Sequence, residues 1–192
     1  KENKLPYPNL YSLENEKDIV FPLVAKPNTG AGSSNIFIVN EIKELKFISN
    51  KYKDLLFQEF LDGTNGEYTC CSFRSSKKEV RSIVFKRELT AGGYSGYGEV
   101  IENDVIDKLI YDLSVFLNLE GSINIQLRLR KGVPVIFEIN PRFSSTILFR
   151  HLLGFRDLEW SMEDAYNQQI SEYNKPKKGA KFYKGFNEYI SS

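Results

Sequence analysis

Two polar side chains interrupt an otherwise apolar stretch, Val133 to Asn140, which ends at Pro141 and is followed by Arg142. The stretch is rich in β-branched residues, so it predicts a strand whose side chains alternate between two faces. Glu138 and Asn140 then share one face. A carboxylate and an amide oxygen beside a cation suit a hard metal ion that carries phosphate. The alternative is a strand end with two solvated polar residues.

The other face of this strand is predicted to hold Val135, Phe137 and Ile139. A hairpin turn at residues 130–132 leads back to the preceding strand and sets Gln126 roughly across from Glu138. Gln126, Glu138 and Asn140 therefore form a candidate magnesium site of three oxygen ligands. Only Glu138 is anionic, which predicts that metal binding is coupled to the phosphates of a nucleotide. The alternative is a polar sheet face open to solvent.

Lys26 ends a second apolar strand and stands directly before a glycine- and serine-rich loop, residues 28–35. Glycine lets the backbone approach a ligand closely, and successive N–H groups form an anion-binding nest. The loop is not a Walker P-loop, because the lysine precedes the glycines and no Gly-Lys-Ser/Thr follows them. It is instead a candidate phosphate-binding flap, formed by Gly30, Gly32, Ser33 and Ser34.

Residues 58–62, Gln-Glu-Phe-Leu-Asp, form an apolar segment whose backbone groups could meet an adenine edge. Taken alone, the segment predicts only a strand that leads to a turn. Glu67 is close enough along the chain to accept hydrogen bonds from ribose hydroxyls. The glycine-rich stretch at residues 90–98, with its two tyrosines, is predicted to be a lid or acceptor-substrate loop.

The bulk composition is that of an ordinary globular protein, with 41% hydrophobic and 27% charged residues among 192. A net charge of +1 gives no electrostatic reason to expect a nucleic-acid or membrane partner. We expect no secretory leader and find no apolar run of the roughly 20 residues that span a bilayer, so a cytoplasmic location is expected. The adjacent Cys70 and Cys71 are expected to be reduced thiols, and the lone His151 a packing or surface residue.

The remaining pattern predicts an α+β fold with mostly antiparallel sheets. Residues 1–15 are expected to be an extended lead-in segment without a strand or helix. Asn40 is predicted to cap a helix that ends near Lys51, and Asn103 to cap an amphipathic helix. The apolar stripe of the second helix comprises Val105, Ile106, Leu109, Ile110, Leu113, Phe116 and Leu117.

Taken together, three sequence blocks resemble the ATP-grasp superfamily, in particular its carbamoyl-phosphate synthase-like and biotin carboxylase-like members. The blocks are residues 21–34, residues 58–69, and Asn124-Ile125-Gln126 with residues 138–144. The resemblance implies two α+β lobes, residues 1–61 with the phosphate flap and residues 62–192 with the metal site, that grip ATP between them.

The resemblance also implies a role for each matching residue. Lys26 would contact phosphate, and the flap would cover the phosphates. Lys86 or Arg87 would face the phosphates too, and the sequence does not separate these two residues. Glu59, Phe60 and Leu61 would form the hinge that holds adenine, and Glu67 would contact ribose. The implied ligands of two magnesium ions, with manganese as a substitute, are Gln126, Glu138 and Asn140. Arg142 would stabilise the transferred phosphoryl group and the acyl phosphate.

The implied activity is that of an ATP-dependent carboxylate–amine or carboxylate–thiol ligase, whose two substrates the sequence does not identify. ATP-grasp ligases usually carry a further amino-terminal domain, and this chain begins near the point where that domain ends. The alternative is therefore a non-catalytic or partial nucleotide-binding fragment that needs a separate amino-terminal domain or partner polypeptide. A third alternative is an α+β interaction module without a ligand.

Overall fold

The computed structural model describes residues 5–28 and 35–185, which divide into two compact units. The smaller unit runs from Pro6 to Asp62, and the larger comprises the described chain from Gly63 onward together with Leu5. Every strand pair within these ranges is antiparallel, so the predicted α+β class is confirmed. Within the same ranges no helix is long and apolar enough to cross a membrane.

The smaller unit is a four-stranded sheet covered by one α helix, in the strand order β1-β4-β2-β3. Its strands are β1 (Leu10–Tyr11), β2 (Leu23–Pro27), β3 (Phe37–Val39) and β4 (Leu55–Glu59). Helix α1 (Ile42–Lys51) is joined to the sheet by a core of Leu23, Ala25, Val39, Leu45 and Phe57. Alternate residues of β2 are fully buried in this core, as expected for a sheet with one covered face.

Two predictions for the smaller unit are wrong. The lead-in segment does contain regular structure, because it contributes strand β1 and the start of a 3₁₀ helix at Leu13–Asp18. Asn40 does not cap α1. Its backbone N–H donates instead to the Glu44 carboxylate at 2.7 Å, and Glu41 takes the cap position without a side-chain hydrogen bond. Glu44 reaches back over the first turn, as the glutamate of a capping box does.

The larger unit is a six-stranded sheet in the order β10-β7-β6-β5-β8-β9. Its strands are β5 (Glu67–Arg74), β6 (Val80–Leu89), β7 (Ser95–Val100), β8 (Gly121–Arg130), β9 (Val133–Asn140) and β10 (Lys181–Tyr183). Its helices are α2 (Asp104–Phe116), α3 (Ile147–Leu152) and α4 (Asp157–Ala165). Both faces of the sheet are covered. The aliphatic core on one face contains α2, and the aromatic core on the other contains Phe155 and Trp160.

The adjacent cysteines mark these two faces. Cys70 belongs to the core that contains α2, whereas Cys71 belongs to the aromatic core. Both thiols are free and buried, in agreement with the predicted reduced state. Asn103 caps α2 as predicted, accepting from the N–H groups of Val105 and Ile106 at 3.1 Å. The buried stripe of α2 is narrower than predicted, because Val105, Phe116 and Leu117 are exposed.

The stretch at residues 90–98 is not a free loop. It is a hairpin whose second half is strand β7, and the turn is closed by the hydrogen bond from the Thr90 N–H to the Tyr94 carbonyl at 2.7 Å. Its glycines serve close packing, since a Cβ on Gly98 would collide with the Phe182 ring of β10. The predicted lid is therefore reduced to the turn that joins β6 and β7.

The register of β9 differs from a regular alternation. Glu138 pairs with Gln126, but the next pair joins Ile136 to Leu127, so Phe137 is the extra residue of a bulge. Ile136 consequently packs in the aliphatic core, and Val135 lies on the opposite face. The predicted common face of Val135, Phe137 and Ile139 is wrong for this reason.

Candidate functional site

Glu67 is held between two arginines of neighbouring strands. The sheet register places it directly across from Arg87 on β6 and from Arg128 on β8. Arg87 donates to Oε1 from Nη2 at 2.6 Å and from Nε at 3.1 Å. Arg128 donates to Oε2 from Nη2 at 2.6 Å and from Nε at 3.0 Å. A carboxylate has about four positions that accept hydrogen bonds, so these bonds occupy the acceptor positions of Glu67. They also fix the planes of both guanidinium groups.

The next row of the sheet contains the predicted metal ligands. Gln126 and Glu138 are register partners, and Asn140 follows on the same face of β9. The Gln126 and Asn140 amide nitrogens both donate to Glu138 Oε1, at 3.3 Å and 2.6 Å. Arg87 Nη2 donates to Gln126 Oε1 at 2.7 Å. The three oxygen-bearing side chains thus touch one another and adjoin the cluster around Glu67.

This donor set fits a hard cation that also carries phosphate. It supplies one carboxylate and two amides. A half-turn about the terminal bond would present the Asn140 oxygen, whereas the Gln126 oxygen would have to leave Arg87 Nη2, to which it is bound at 2.7 Å. Within the described ranges there is no group of three or more His, Cys, Asp or Glu residues suited to a metal ion. The assignment of Gln126, Glu138 and Asn140 as metal ligands stays a prediction that rests on mixed carboxylate and amide chemistry.

The sheet separates Lys86 from Arg87. Arg87 lies on the Glu138 face, where its guanidinium also donates to the Ser95 hydroxyl at 3.2 Å. Lys86 lies on the other face, across from Tyr68, with its aliphatic chain against Gly66. Of the two predicted phosphate contacts, only Arg87 therefore shares a face with the candidate metal ligands. Its donors are largely used by protein groups, which favours a role in orienting Gln126.

Arg142 is exposed and stands two residues beyond the end of β9. Its backbone N–H donates to the Asn140 carbonyl at 2.8 Å, which turns the chain sharply after the strand. Its guanidinium donates to the Phe143 carbonyl at 3.0 Å. The predicted phosphoryl contact of Arg142 stays a prediction, and it requires this long side chain to reorient from the backbone carbonyl.

Four of the nucleotide contacts predicted for the smaller unit lie among its described residues. Lys26 lies in β2 across from Leu56, and Glu59 is the last residue of β4. The Glu59 N–H already donates to the Asn9 carbonyl at 2.8 Å, and its carboxylate accepts from the Asn9 N–H at 3.0 Å. The predicted adenine contacts of Glu59, of the half-buried Phe60 and of the buried Leu61 stay predictions. The flap residues Gly30, Gly32, Ser33 and Ser34 lie outside the described residues.

A fully buried ion pair in the larger unit was not predicted from the sequence. Arg150 Nη2 donates to Asp157 Oδ2 at 2.7 Å, and both side chains are 1% exposed. Asp157 Oδ2 also accepts from the Ser122 hydroxyl at 2.6 Å and from the Cys71 thiol at 3.4 Å. Burial raises the pKa of the Cys71 thiol to about 12, which keeps it protonated and unreactive.

The same guanidinium reaches the loop after Arg142. Arg150 Nη1 donates to the hydroxyls of Ser144 and Thr146, at 2.5 Å and 3.0 Å. We name Arg150, Asp157, Ser122, Ser144 and Thr146 the Arg150 cluster. The only sequence signal for it is an arginine and an aspartate, seven residues apart, in a largely apolar helical region.

Comparison with known proteins is consistent with this geometry. A family profile described as an ATP-grasp domain matches residues 1–146. The chain is 25% identical to the carbamoyl phosphate synthase large chain of Thermoanaerobacter pseudethanolicus (strain ATCC 33223 / 39E). That match covers 84% of this chain but only 17% of the relative.

Solved structures share the fold at lower identity. The N5-carboxyaminoimidazole ribonucleotide synthetase of Thermus thermophilus superposes with a TM-score of 0.73 at 13% identity, over 90% of this chain and 51% of that one. The L-amino acid ligase of Bacillus licheniformis superposes with a TM-score of 0.64 at 19% identity, over 84% and 43%. The chain thus spans about half the length of these structures.

Proposed function

Because the chain belongs to the ATP-grasp family, we propose that it is the ATP- and magnesium-binding core of a carboxylate–amine or carboxylate–thiol ligase that acts through an acyl phosphate. The observation that carries the proposal is the contact of Gln126, Glu138 and Asn140 on one face of the larger sheet. An arginine-held carboxylate, Glu67, adjoins them through Arg87. A nucleotide site needs both a hard-cation ligand set and fixed positive charge, and this cluster contains both.

Glu138, Gln126 and Asn140 would hold two magnesium ions, for which manganese can substitute. When bound, the ions would neutralise charge on the phosphate oxygens of ATP. Only one of the three side chains is anionic, so the protein contributes a single negative charge to the site. Metal affinity is therefore expected to be low without nucleotide and higher with it, since the phosphates supply the missing negative charge.

The protein's own residues act mainly by position and charge. In the proposed reaction a carboxylate oxygen attacks the γ-phosphorus of ATP and ADP departs. An amine or thiol then attacks the acyl phosphate and phosphate departs. Lys26 would bind phosphate as a point charge, and the Arg142 guanidinium would donate to the transferred phosphoryl oxygens. Such donors stabilise charge that spreads over those oxygens in the transition state.

Calorimetry tests the metal assignment directly. The full chain is titrated with a non-hydrolysable ATP analogue, with and without magnesium, and compared with Glu138→Gln. We expect the substitution to weaken magnesium-dependent nucleotide binding at least about tenfold, because it removes the one anionic ligand. Glu120→Gln, which alters an exposed carboxylate paired with Lys78, is the matched control and is expected to bind as wild type does. Equal binding by Glu138→Gln and wild type would contradict the assignment.

A second candidate is a nucleotide-binding fragment that makes no product without a separate amino-terminal domain or partner. It is favoured by the 17% share of the curated relative that the chain covers. Phosphate release from ATP, measured with a panel of carboxylates and amines, separates the two proposals. Turnover by the chain alone would rule out the second candidate. Nucleotide binding without turnover, with activity restored by an added amino-terminal polypeptide, would support it.

A further inference from the structure

Arg150 joins the segment that carries Arg142 to the interior of the larger unit. Arg150 is 0% exposed, so it touches no ligand. One edge of its guanidinium binds Asp157, the first residue of α4, and the other binds Ser144 and Thr146. A guanidinium holds its five donors in a rigid planar fork, so fixing one edge also fixes the direction of the other.

The Asp157 end of this fork is itself anchored to the sheet. Ser122 on β8 and Cys71 on β5 both contact Asp157 Oδ2. Ser122 lies on the same face of β8 as Gln126, four residues away. The ion pair is therefore anchored by a hydrogen bond to strand β8, which also carries Gln126, one of the candidate metal ligands.

The segment from Asn140 to Ser144, which follows β9, is fixed at both ends. At its start, Asn140 is paired with Asn124 in the sheet. At its end, the Ser144 hydroxyl accepts from Arg150 and from the Thr146 N–H at 3.3 Å. Arg142 stands midway, two residues from each fixed point. A chain this short has few conformations when both ends are held, so the Ser144 anchor restricts where the Arg142 backbone can lie.

We propose that Arg150 is a positioning residue for Arg142, acting through the hydroxyls of Ser144 and Thr146. The proposal rests on the proposed function, because it assumes that Arg142 contacts the terminal phosphate of ATP. Arg150 takes no part in the chemistry itself. It fixes the turn from which the Arg142 side chain, once released from the Phe143 carbonyl, would reach the face that holds Glu138 and Asn140.

The test removes the loop anchors and leaves the buried ion pair intact. Ser144→Ala with Thr146→Val deletes both hydroxyl acceptors, and Arg142→Ala deletes the guanidinium. For each variant, calorimetry on the full chain compares the affinity for a magnesium–ATP analogue with that for magnesium–ADP. The ratio of the two affinities isolates the terminal phosphate. One charge-assisted contact predicts a ratio of about tenfold in wild type.

We expect Arg142→Ala and the Ser144/Thr146 double variant each to lose this ratio while binding ADP normally. Combining all three substitutions should cause no further loss, since coupled residues are not additive in a mutant cycle. Ser145→Ala removes an exposed hydroxyl of the same loop and is expected to retain the wild-type ratio. Ser144→Thr with Thr146→Ser keeps both hydroxyls and should restore the preference for ATP.

Three results would overturn the proposal, and they differ from one another. A double variant that keeps the ratio while Arg142→Ala loses it would exclude positioning through the hydroxyls. Independent losses that add in the combined variant would exclude coupling of the Ser144 and Thr146 hydroxyls to Arg142, and with it the route by which Arg150 would act. A wild-type chain that binds neither nucleotide would refute the proposed function itself, and the positioning role would fall with it.

Discussion

The larger unit contains two arginine–carboxylate clusters on the same side of its sheet, and they differ in how much of their side chains is exposed to solvent. We call the buried one closed and the partly exposed one open. In the Arg150 cluster the two charges balance, and both side chains are 1% exposed. Around Glu67 the charged side chains are 8%, 11% and 27% exposed, for Arg87, Glu67 and Arg128. This second cluster continues into Glu138 and two amides that are only partly buried. A closed cluster suits a structural role, whereas an open one with a surplus carboxylate suits a ligand.

The physical reason for the difference is desolvation. A buried charge that loses its partner cannot be solvated in place, so breaking a buried pair is costly. A partly exposed charge can still be hydrated when its partner is removed, and it is also screened by salt. Four carboxylate-to-amide substitutions, which barely change side-chain shape, therefore test the comparison along a gradient of burial.

Asp157→Asn is expected to have the largest effect on stability. It leaves the Arg150 charge buried without a countercharge, and we expect the free energy of unfolding to fall by about 3–5 kcal/mol. Urea denaturation followed by circular dichroism measures this change. Glu159→Gln is the matched control, because it lies on the same helix in an exposed pair with Arg156. A loss no larger than that of the control would mean that the buried cluster is not structurally important.

Glu67→Gln is expected to rank second. The substitution removes the countercharge of Arg87 and Arg128, but both arginines remain within reach of solvent or of other acceptors. We expect a loss of about 1–3 kcal/mol in the same assay, and a smaller loss at high salt. Glu99→Gln, in an exposed pair with Lys181 at 3.9 Å, is the control. A loss equal to that of Asp157→Asn would contradict the distinction between closed and open clusters.

Glu138→Gln is expected to change the stability of the ligand-free protein by less than about 1 kcal/mol. Its contacts are with neutral amide groups, and glutamine keeps an acceptor at the same place. The difference should appear with ligand, since magnesium and an ATP analogue are expected to raise the melting temperature of Glu138→Gln by less than that of wild type. A large loss of stability in the ligand-free protein would indicate that Glu138 has a structural role instead.

Asp112→Asn is expected to have the smallest effect. Asp112 pairs with Lys108 at the exposed surface of α2, at the i and i+4 positions of one helix. Such pairs contribute about 0.3–0.5 kcal/mol, so the variant should be nearly as stable as wild type. Urea denaturation measures this loss of stability, which is expected to be the smallest of the four substitutions. A loss above that of Glu138→Gln would show that burial does not order the four sites.

Part of the candidate site followed from local rules. Gln126, Glu138 and Asn140 lie on one hairpin, whose turn has positive φ angles at Lys131 and Gly132. Strand alternation and hairpin pairing then suffice to bring the three side chains together. The bulge at Phe137 was not predicted, but it shifts only the residues before Glu138 and leaves the predicted contacts in place.

The partners of Glu67 and of Arg150 did not follow from local rules. Glu67 meets Arg128 across 61 residues of sequence, and the choice of Arg87 over Lys86 depends on which face each occupies in the folded sheet. Arg150 and Asp157 are close in sequence, but their burial depends on α3 and α4 covering the sheet. The adenine, ribose and phosphate assignments in both units stay predictions.

The sequence by itself determined the family and the α+β class, and it predicted the candidate set of oxygen ligands, because these depend on residue types and on periodicities within neighbouring elements. Only the tertiary structure decided which charges are buried in a closed pair and which are left in an open cluster. Desolvation depends on everything packed around a group, including strands and helices distant in sequence. For that reason Arg150, which carries no recognisable motif, emerged from the packing and not from the sequence.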